Sequence, residues 1–80
     1  MPLSKQSADE LRALIKQREA DQHPDLVVHV VHRSEDECEV EVEGAPDLLD
    51  RLVAPGSYTA TPGRKINEKK AVFGEAPQTA

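Results

Sequence analysis

This sequence has very few aromatic residues and almost no cysteine. Among its 80 residues, Tyr58 and Phe73 are the only members of the Phe, Tyr and Trp group, and Cys38 is the single cysteine. One cysteine excludes an internal disulfide and fits a reducing compartment. So few large side chains can build only one small core, which indicates a single domain that gains stability from self-association or from a partner.

Long apolar runs and glycine-based nucleotide motifs are absent as well. No apolar run approaches the ~20 residues of a transmembrane helix, and the N-terminus lacks the apolar segment of a signal peptide. No G-x-x-x-x-G-K loop, G-x-G-x-x-G turn or G-x-S-x-G elbow occurs. We therefore expect a cytoplasmic, non-enzymatic protein with no cofactor and no membrane association.

Acidic residues outnumber basic ones, but the two signs are unevenly distributed. The formal charge is −5, of which the segment from Arg64 to Glu75 carries +2 and the remainder −7. An acidic body repels nucleic acid, so nucleic-acid binding is expected only through the basic segment. Its candidate contacts to phosphate or to a partner are four bases: Arg64, Lys65, Lys69 and Lys70. Because no aromatic residues are interleaved with them, a solubilising tail is favoured over a phosphate-binding site.

Two helices are predicted by apolar residues at spacings of three and four. The first begins at the capping box of residues 7–10 and ends before Pro24. The second opens at Pro46 and stops at residues 54–56, which makes it too short to persist without packing. The expected core is aliphatic and draws on both helices and the segments between them: Leu11, Leu14, Ile15, Leu26, Val28, Val30, Val40, Val42, Leu48, Leu49, Leu52 and Val53.

Two β segments lie between these helices. Residues 26–33 are rich in β-branched side chains, and residues 37–43 alternate glutamate with apolar residues. The short polar linker of residues 34–36 favours an antiparallel hairpin. Pairing Val30 with Val40 gathers the valines on one face and turns the carboxylates to water on the other.

These elements predict an α+β fold, a small α-β-β-α domain over residues 1–56. Two helices would cover one face of an antiparallel two-stranded hairpin. Residues 57–80 are predicted to form a flexible, weakly structured basic tail. A short strand containing Ile66, Val72 and Phe73 is the alternative for part of this tail.

The outer face or an edge of the hairpin is the predicted partner-binding surface. In the expected register Arg33 opposes Glu37 and His29 opposes Glu41, so opposite charges lie across from each other. The proposed contact residues are Val27, His29, Val31, Arg33, Glu37, Glu39, Glu41 and Glu43. A mixed apolar and acidic face with unpaired strand edges is typical of a protein–protein interaction module, such as an adaptor, an inhibitor or an immunity protein. Its partner would be another protein, for example a basic one, or a second copy in a homo-oligomer.

A thiol or metal site at His32 and Cys38 is a second alternative. The register sets these two side chains directly across the ladder, where a thiolate–imidazole pair or two metal ligands would lie. Structural zinc needs four ligands, however, and His29 points to the opposite face. Glu37 and Glu39 flank the thiol and disfavour a thiolate. We therefore expect no bound metal and an ordinary cross-strand pair.

The order helix, β-hairpin, helix and basic tail resembles the small head-completion proteins of tailed phages, over roughly residues 4–70. The resemblance implies a structural assembly role as the first alternative to an interaction module. The acidic hairpin departs from that pattern, because a protein near packaged DNA is expected to carry more positive charge.

Overall fold

The protein is a small α+β fold of two helices and a four-stranded antiparallel sheet in a computed structural model that describes residues 3–35, 37–54 and 63–74. In chain order the elements are α1 (Lys5–Glu19), β1 (Val27–His32), β2 (Cys38–Glu43), α2 (Pro46–Val53), β3 (Arg64–Asn67) and β4 (Lys70–Phe73). The strands lie in the order β1-β2-β4-β3. The domain boundary predicted at residue 56 lies outside the described residues.

The predicted pairing of β1 with β2 is confirmed residue by residue. Val30 lies opposite Val40 and His32 opposite Cys38 in an antiparallel ladder. Beyond the strands, the Arg33 amide donates to the Glu37 carbonyl at 2.8 Å. Because side chains alternate between faces, this register places every valine of β2 on one side of the sheet and every glutamate on the other.

The predicted start of α1 is wrong by about one turn. The helix begins at Lys5, and the Ser4 hydroxyl accepts a hydrogen bond from the Ser7 amide at 3.1 Å. Ser4 is therefore the N-cap, whereas Ser7, the predicted cap, lies inside the helix. Serine stands at both positions, so local chemistry did not distinguish the two starts.

The predicted two-stranded sheet is also wrong, because part of the segment expected to be a tail adds two strands. β4 pairs with β2, with Phe73 opposite Val40 and Ala71 opposite Val42, and β3 forms the outer edge beyond β4. The Asn67 side chain accepts from the Lys69 amide at 2.8 Å and stabilises the turn between these strands. The element order is thus α-β-β-α-β-β.

Both helices pack on one face of the sheet, α1 against β1 and β2, and α2 against β3 and β4. The buried core between these layers contains Ala8, Leu11, Ile15, Val28, Cys38, Val40, Val42, Leu48, Leu49, Leu52, Ala71 and Phe73. Of the expected core, Leu26, Val30 and Val53 are only partly buried against this cluster, and Leu14 is half-buried. Among the described residues, neither helix combines the length and apolar character that a bilayer crossing requires.

Candidate functional site

The sheet face opposite the helices is the first candidate surface, and we call it the open face. By the alternation of side chains and the strand registers, it carries Val27, His29, Val31, Arg33, Glu39, Glu41, Glu43, Arg64, Lys70 and Val72. The structure brings together all the predicted contact residues except Glu37. Glu37 lies in the turn, where its carboxylate accepts from the Ser34 hydroxyl at 3.2 Å.

The glutamates in the middle of the open face are covered rather than turned to water. Arg33 donates two parallel hydrogen bonds to Glu39, from Nε to Oε2 at 3.1 Å and from Nη2 to Oε1 at 3.2 Å. Glu41 Oε1 accepts from Lys70 Nζ at 2.5 Å and lies 3.5 Å from His29 Nε2. The side chains of Glu39 and Glu41 are only 11% and 12% exposed. Glu39 and Glu41, which were predicted to be solvated, therefore form ion pairs within this face, whereas Glu43 is exposed as predicted. Arg33 reaches Glu39 diagonally instead of Glu37.

These ion pairs shift the ionisation of their members. The hydrogen bond from Lys70 is the largest cause that lowers the pKa of Glu41, followed among the favourable effects by the charges of Lys70 and His29. The same bond raises the pKa of Lys70, and the bond to Glu39 raises the pKa of Arg33. Glu41 is thus held ionised and matched by bases of the same face, which weakens the attraction of this face for a basic partner.

Replacing Lys70 with alanine should raise the pKa of Glu41 and flatten the acid dependence of stability. A carboxyl whose pKa is lowered by folding adds stability above its ordinary value of 4.5, and this stability is lost as the pH falls through the lower folded value. An NMR titration of Glu41, together with unfolding at several acidic pH values, measures both effects. Lys69→Ala, which removes an exposed lysine from the same turn, is the control. Normal titration of Glu41 in the native protein would contradict the ion pair.

The outer edge of β1 is the second candidate surface. Hydrogen-bonded and non-hydrogen-bonded pairs alternate along an antiparallel ladder, and Arg33 bonds to Glu37. The backbone groups of Val31 and His29 therefore point towards β2, whereas those of Val28, Val30 and His32 point away from the sheet. Arg12 confirms this direction, because its Nε donates to the outward carbonyl of Val28 at 3.1 Å.

The two edges of the sheet differ in how well they are protected. β3 is four residues long, begins with Arg64-Lys65 and has an irregular register between Lys65 and Asn67. Short length, cationic side chains and bulges all discourage the addition of another strand. β1 has six residues of the sequence VVHVVH, a continuous register, no proline and no lysine. Among the described residues, Arg12 is the only one that bonds to an outward backbone group of β1. β1 is therefore the less protected of the two edges.

The thiol and imidazole predicted to meet across the ladder do so. Cys38 Sγ lies 3.4 Å from His32 Nδ1, but Cys38 is fully buried. Within the described ranges no group of three or more His, Cys, Asp or Glu residues is arranged to hold a metal ion. A buried thiol next to one imidazole lacks the further ligands or the access that metal binding or nucleophilic attack requires.

The four bases predicted as phosphate contacts belong to the second hairpin rather than to a tail. Lys65 Nζ bonds to Asp50 of α2 at 2.8 Å, and Lys70 holds Glu41. Arg64 also takes part in an interaction within the chain. Lys69 is exposed, and its backbone carbonyl accepts from the Gly44 amide at 3.0 Å. Three of the four cations are thus engaged internally, which leaves little positive charge for nucleic acid.

A groove of about 1130 Å³ opens at the end of the sheet where β1 begins. Its walls come from residues 22–27, residues 43–46 with Leu48, and residues 67–70. They combine apolar side chains with charges of both signs, among them Asp25, Glu43 and Lys69. This mixture of side chains does not select one class of ligand.

Sequence reasoning identified the residues of the open face on β1 and β2 but missed those from β3 and β4. It placed the strand edges among the candidate surfaces but did not identify which backbone groups of β1 point away from the sheet, although the register predicted from the valine pattern already implied them. The bond from Arg12 to the strand edge had no signal in the local sequence. Comparison with protein-family models, with curated protein sequences and with solved structures finds no match for this chain.

Proposed function

We propose that this protein is a non-enzymatic protein–protein interaction module that binds an extended segment of another chain along the outer edge of β1. The observation that carries this proposal is the contrast between the two sheet edges. β3 is short, cationic and irregular, whereas β1 is longer, uncharged apart from its histidines and regular. Strand addition gains its affinity from main-chain hydrogen bonds. The backbone N–H and C=O groups of Val30 and His32 point outward from the sheet, where an added strand would bond to them.

The side chains along β1 favour a β-branched partner strand. Val27 is 46% exposed on the open face, while Val30 and Val31 are half-buried on the two faces. An added strand would cover these valines from the side and remove apolar surface from water. Since a net hydrogen bond contributes only about 0.5–1.5 kcal/mol, a short added strand would bind with micromolar rather than nanomolar affinity.

A random library of short peptides on beads, screened with the purified protein, tests this proposal. We expect extended peptides rich in valine, isoleucine and threonine to be selected. Methylation of alternate backbone nitrogens of a selected peptide should abolish binding, while methylation of the intervening ones should not, because only every second amide faces β1.

Two proline variants locate the binding edge. Val30→Pro removes an outward N–H without removing a bond to β2, so peptide binding should be lost while the fold is kept. Lys65→Pro removes an N–H from the opposite edge, together with the Lys65–Asp50 ion pair, and should leave binding intact. If the selected peptides bound the Val30→Pro variant as tightly as they bind the native protein, the proposal would be contradicted.

The structural assembly role remains an alternative prediction. It was based on the order helix, hairpin, helix and tail, and the β3–β4 hairpin departs from that order. The proposal names a mode of binding, the addition of a strand to a sheet edge. An adaptor, an inhibitor or an immunity protein can each use this mode.

A further inference from the structure

We infer that the strand which β1 accepts is β1 of a second copy of this chain, in an antiparallel pair centred on Val30. This inference rests on the proposed function and names the partner. The result would be a twofold-symmetric dimer with a continuous eight-stranded sheet, since each copy contributes a four-stranded one. The helices of both copies would lie on the same side of that sheet.

The register follows from the outward backbone groups. A twofold axis at Val30 pairs its N–H and C=O with those of the other copy's Val30 and pairs Val28 with His32 at both ends. Every one of these residues directs its backbone away from β2. The Val28 carbonyl, which already accepts from Arg12, has a second lone pair for this bond.

The side-chain pattern of β1 is compatible with itself in this register. On the open face, His29 meets Val31 and Val27 meets Arg33 of the other copy; on the helix-covered face, Val30 meets Val30. No pair sets two cations or two acids opposite each other, even with both histidines protonated. By contrast, an axis at His29 or at His32 would put that histidine opposite its own copy. The Val30 register therefore avoids the like-charge contacts that destabilise cross-strand pairs.

Two further observations favour a second copy over a foreign strand. A long apolar edge without lysine, proline or a bulge is a hazard whenever copies of a protein meet, and β3 shows that this chain protects its other edge. The core is also small, with Phe73 as its one aromatic side chain among the described residues. Domains of this size often gain stability by association.

Sedimentation equilibrium of the whole chain, from micromolar to millimolar concentration, tests the inference. The native protein should shift from 8.8 kDa towards twice that mass as the concentration rises. Salt should strengthen the dimer, because the copies carry −5 each and contact through valines and backbone. The binding of a basic foreign partner would instead be weakened by salt.

Val30→Pro should weaken the dimer by at least about ten-fold. The twofold axis places Val30 of both copies in the interface, so the substitution removes two hydrogen bonds from it. Lys65→Pro, the same change on the β3 edge, should leave the association unchanged. Circular dichroism and urea unfolding of both variants establish that each remains folded. An equal effect of the two prolines would overturn the inference.

Val27→Lys separates association from stability. Within one copy the new lysine would face Glu43 and should stabilise the monomer, whereas in the dimer it would face Arg33 of the other copy. We expect association to weaken by about three-fold or more while the unfolding midpoint rises or stays constant. A dimer that is unaffected by both Val30→Pro and Val27→Lys would place the interface elsewhere and overturn the inference.

The failure of this inference can be distinguished from the failure of the proposed function. If the native chain stays monomeric at every concentration and salt, the second copy is excluded, whereas binding of library peptides at β1 is still expected. If neither association nor peptide binding responds to Val30→Pro, strand addition itself is excluded.

Discussion

Replacing Phe73 with alanine is expected to unfold most of the domain. Phe73 is 1% exposed, lies opposite Val40 in the ladder and has Gly63 directly against its ring. Truncation of a buried phenylalanine costs about 3–5 kcal/mol, which equals the stability that a core of this size supplies. Urea denaturation followed by circular dichroism should show a midpoint close to zero denaturant.

Ile66→Ala is the matched control for this experiment. Ile66 belongs to the same hairpin but is 51% exposed, so its truncation should change stability by less than about 0.5 kcal/mol. If Phe73→Ala lost as little as Ile66→Ala, the β3–β4 hairpin would not belong to the cooperative unit.

Replacing Gly74 with alanine is expected to cost roughly 2–4 kcal/mol, the sum of a left-handed backbone and a steric clash. Gly74 has φ +78°, and an added Cβ would lie 2.6 Å from Leu3 Cγ and 3.2 Å from the Cys38 carbonyl oxygen. Leu3 would have to move, although its backbone bonds to Cys38 in both directions at 3.1 and 2.7 Å. Thermal unfolding and amide exchange at Leu3 and Cys38 measure the damage.

Gly44→Ala makes the same substitution where the chain tolerates it. The backbone of Gly44 does not have positive φ, and an added Cβ would touch only the ends of the Leu48 and Leu26 side chains, at 3.3 and 3.4 Å. We expect a change below about 1 kcal/mol, of either sign. Equal losses from the two alanines would mean that Gly74 does not anchor the N-terminal segment.

The register of β1 and β2 could be predicted from the period-two alternation of valine and glutamate. A slip of one residue would have moved Val40 and Val42 out of the core, so the alternation of valine and glutamate left one acceptable pairing. The same pattern named the open-face residues of both strands. It misjudged their surroundings, because the lysine that covers Glu41 comes from β4, far along the chain.

The hairpin of β3 and β4 was not the leading prediction for this segment, although a short strand with Ile66, Val72 and Phe73 was its alternative, and the reason is physical. Each strand is four residues long, too short for a period to stand out, and its polar, basic sequence resembles that of a tail. Its stability comes from non-local contacts: Ala71 and Phe73 fill the core beside β2, and Lys65 binds Asp50 of α2. Such contacts have no counterpart in the local sequence.

The sequence by itself determined the two helices, the β1–β2 hairpin and its register, since each depends on periodic burial within a short stretch of chain. Tertiary structure alone decided that residues 64–73 complete the sheet, that Glu39 and Glu41 are paired with bases, and that β1 is left as the less protected edge. These outcomes depend on which strands become neighbours, and that choice is made by packing between segments distant in the chain.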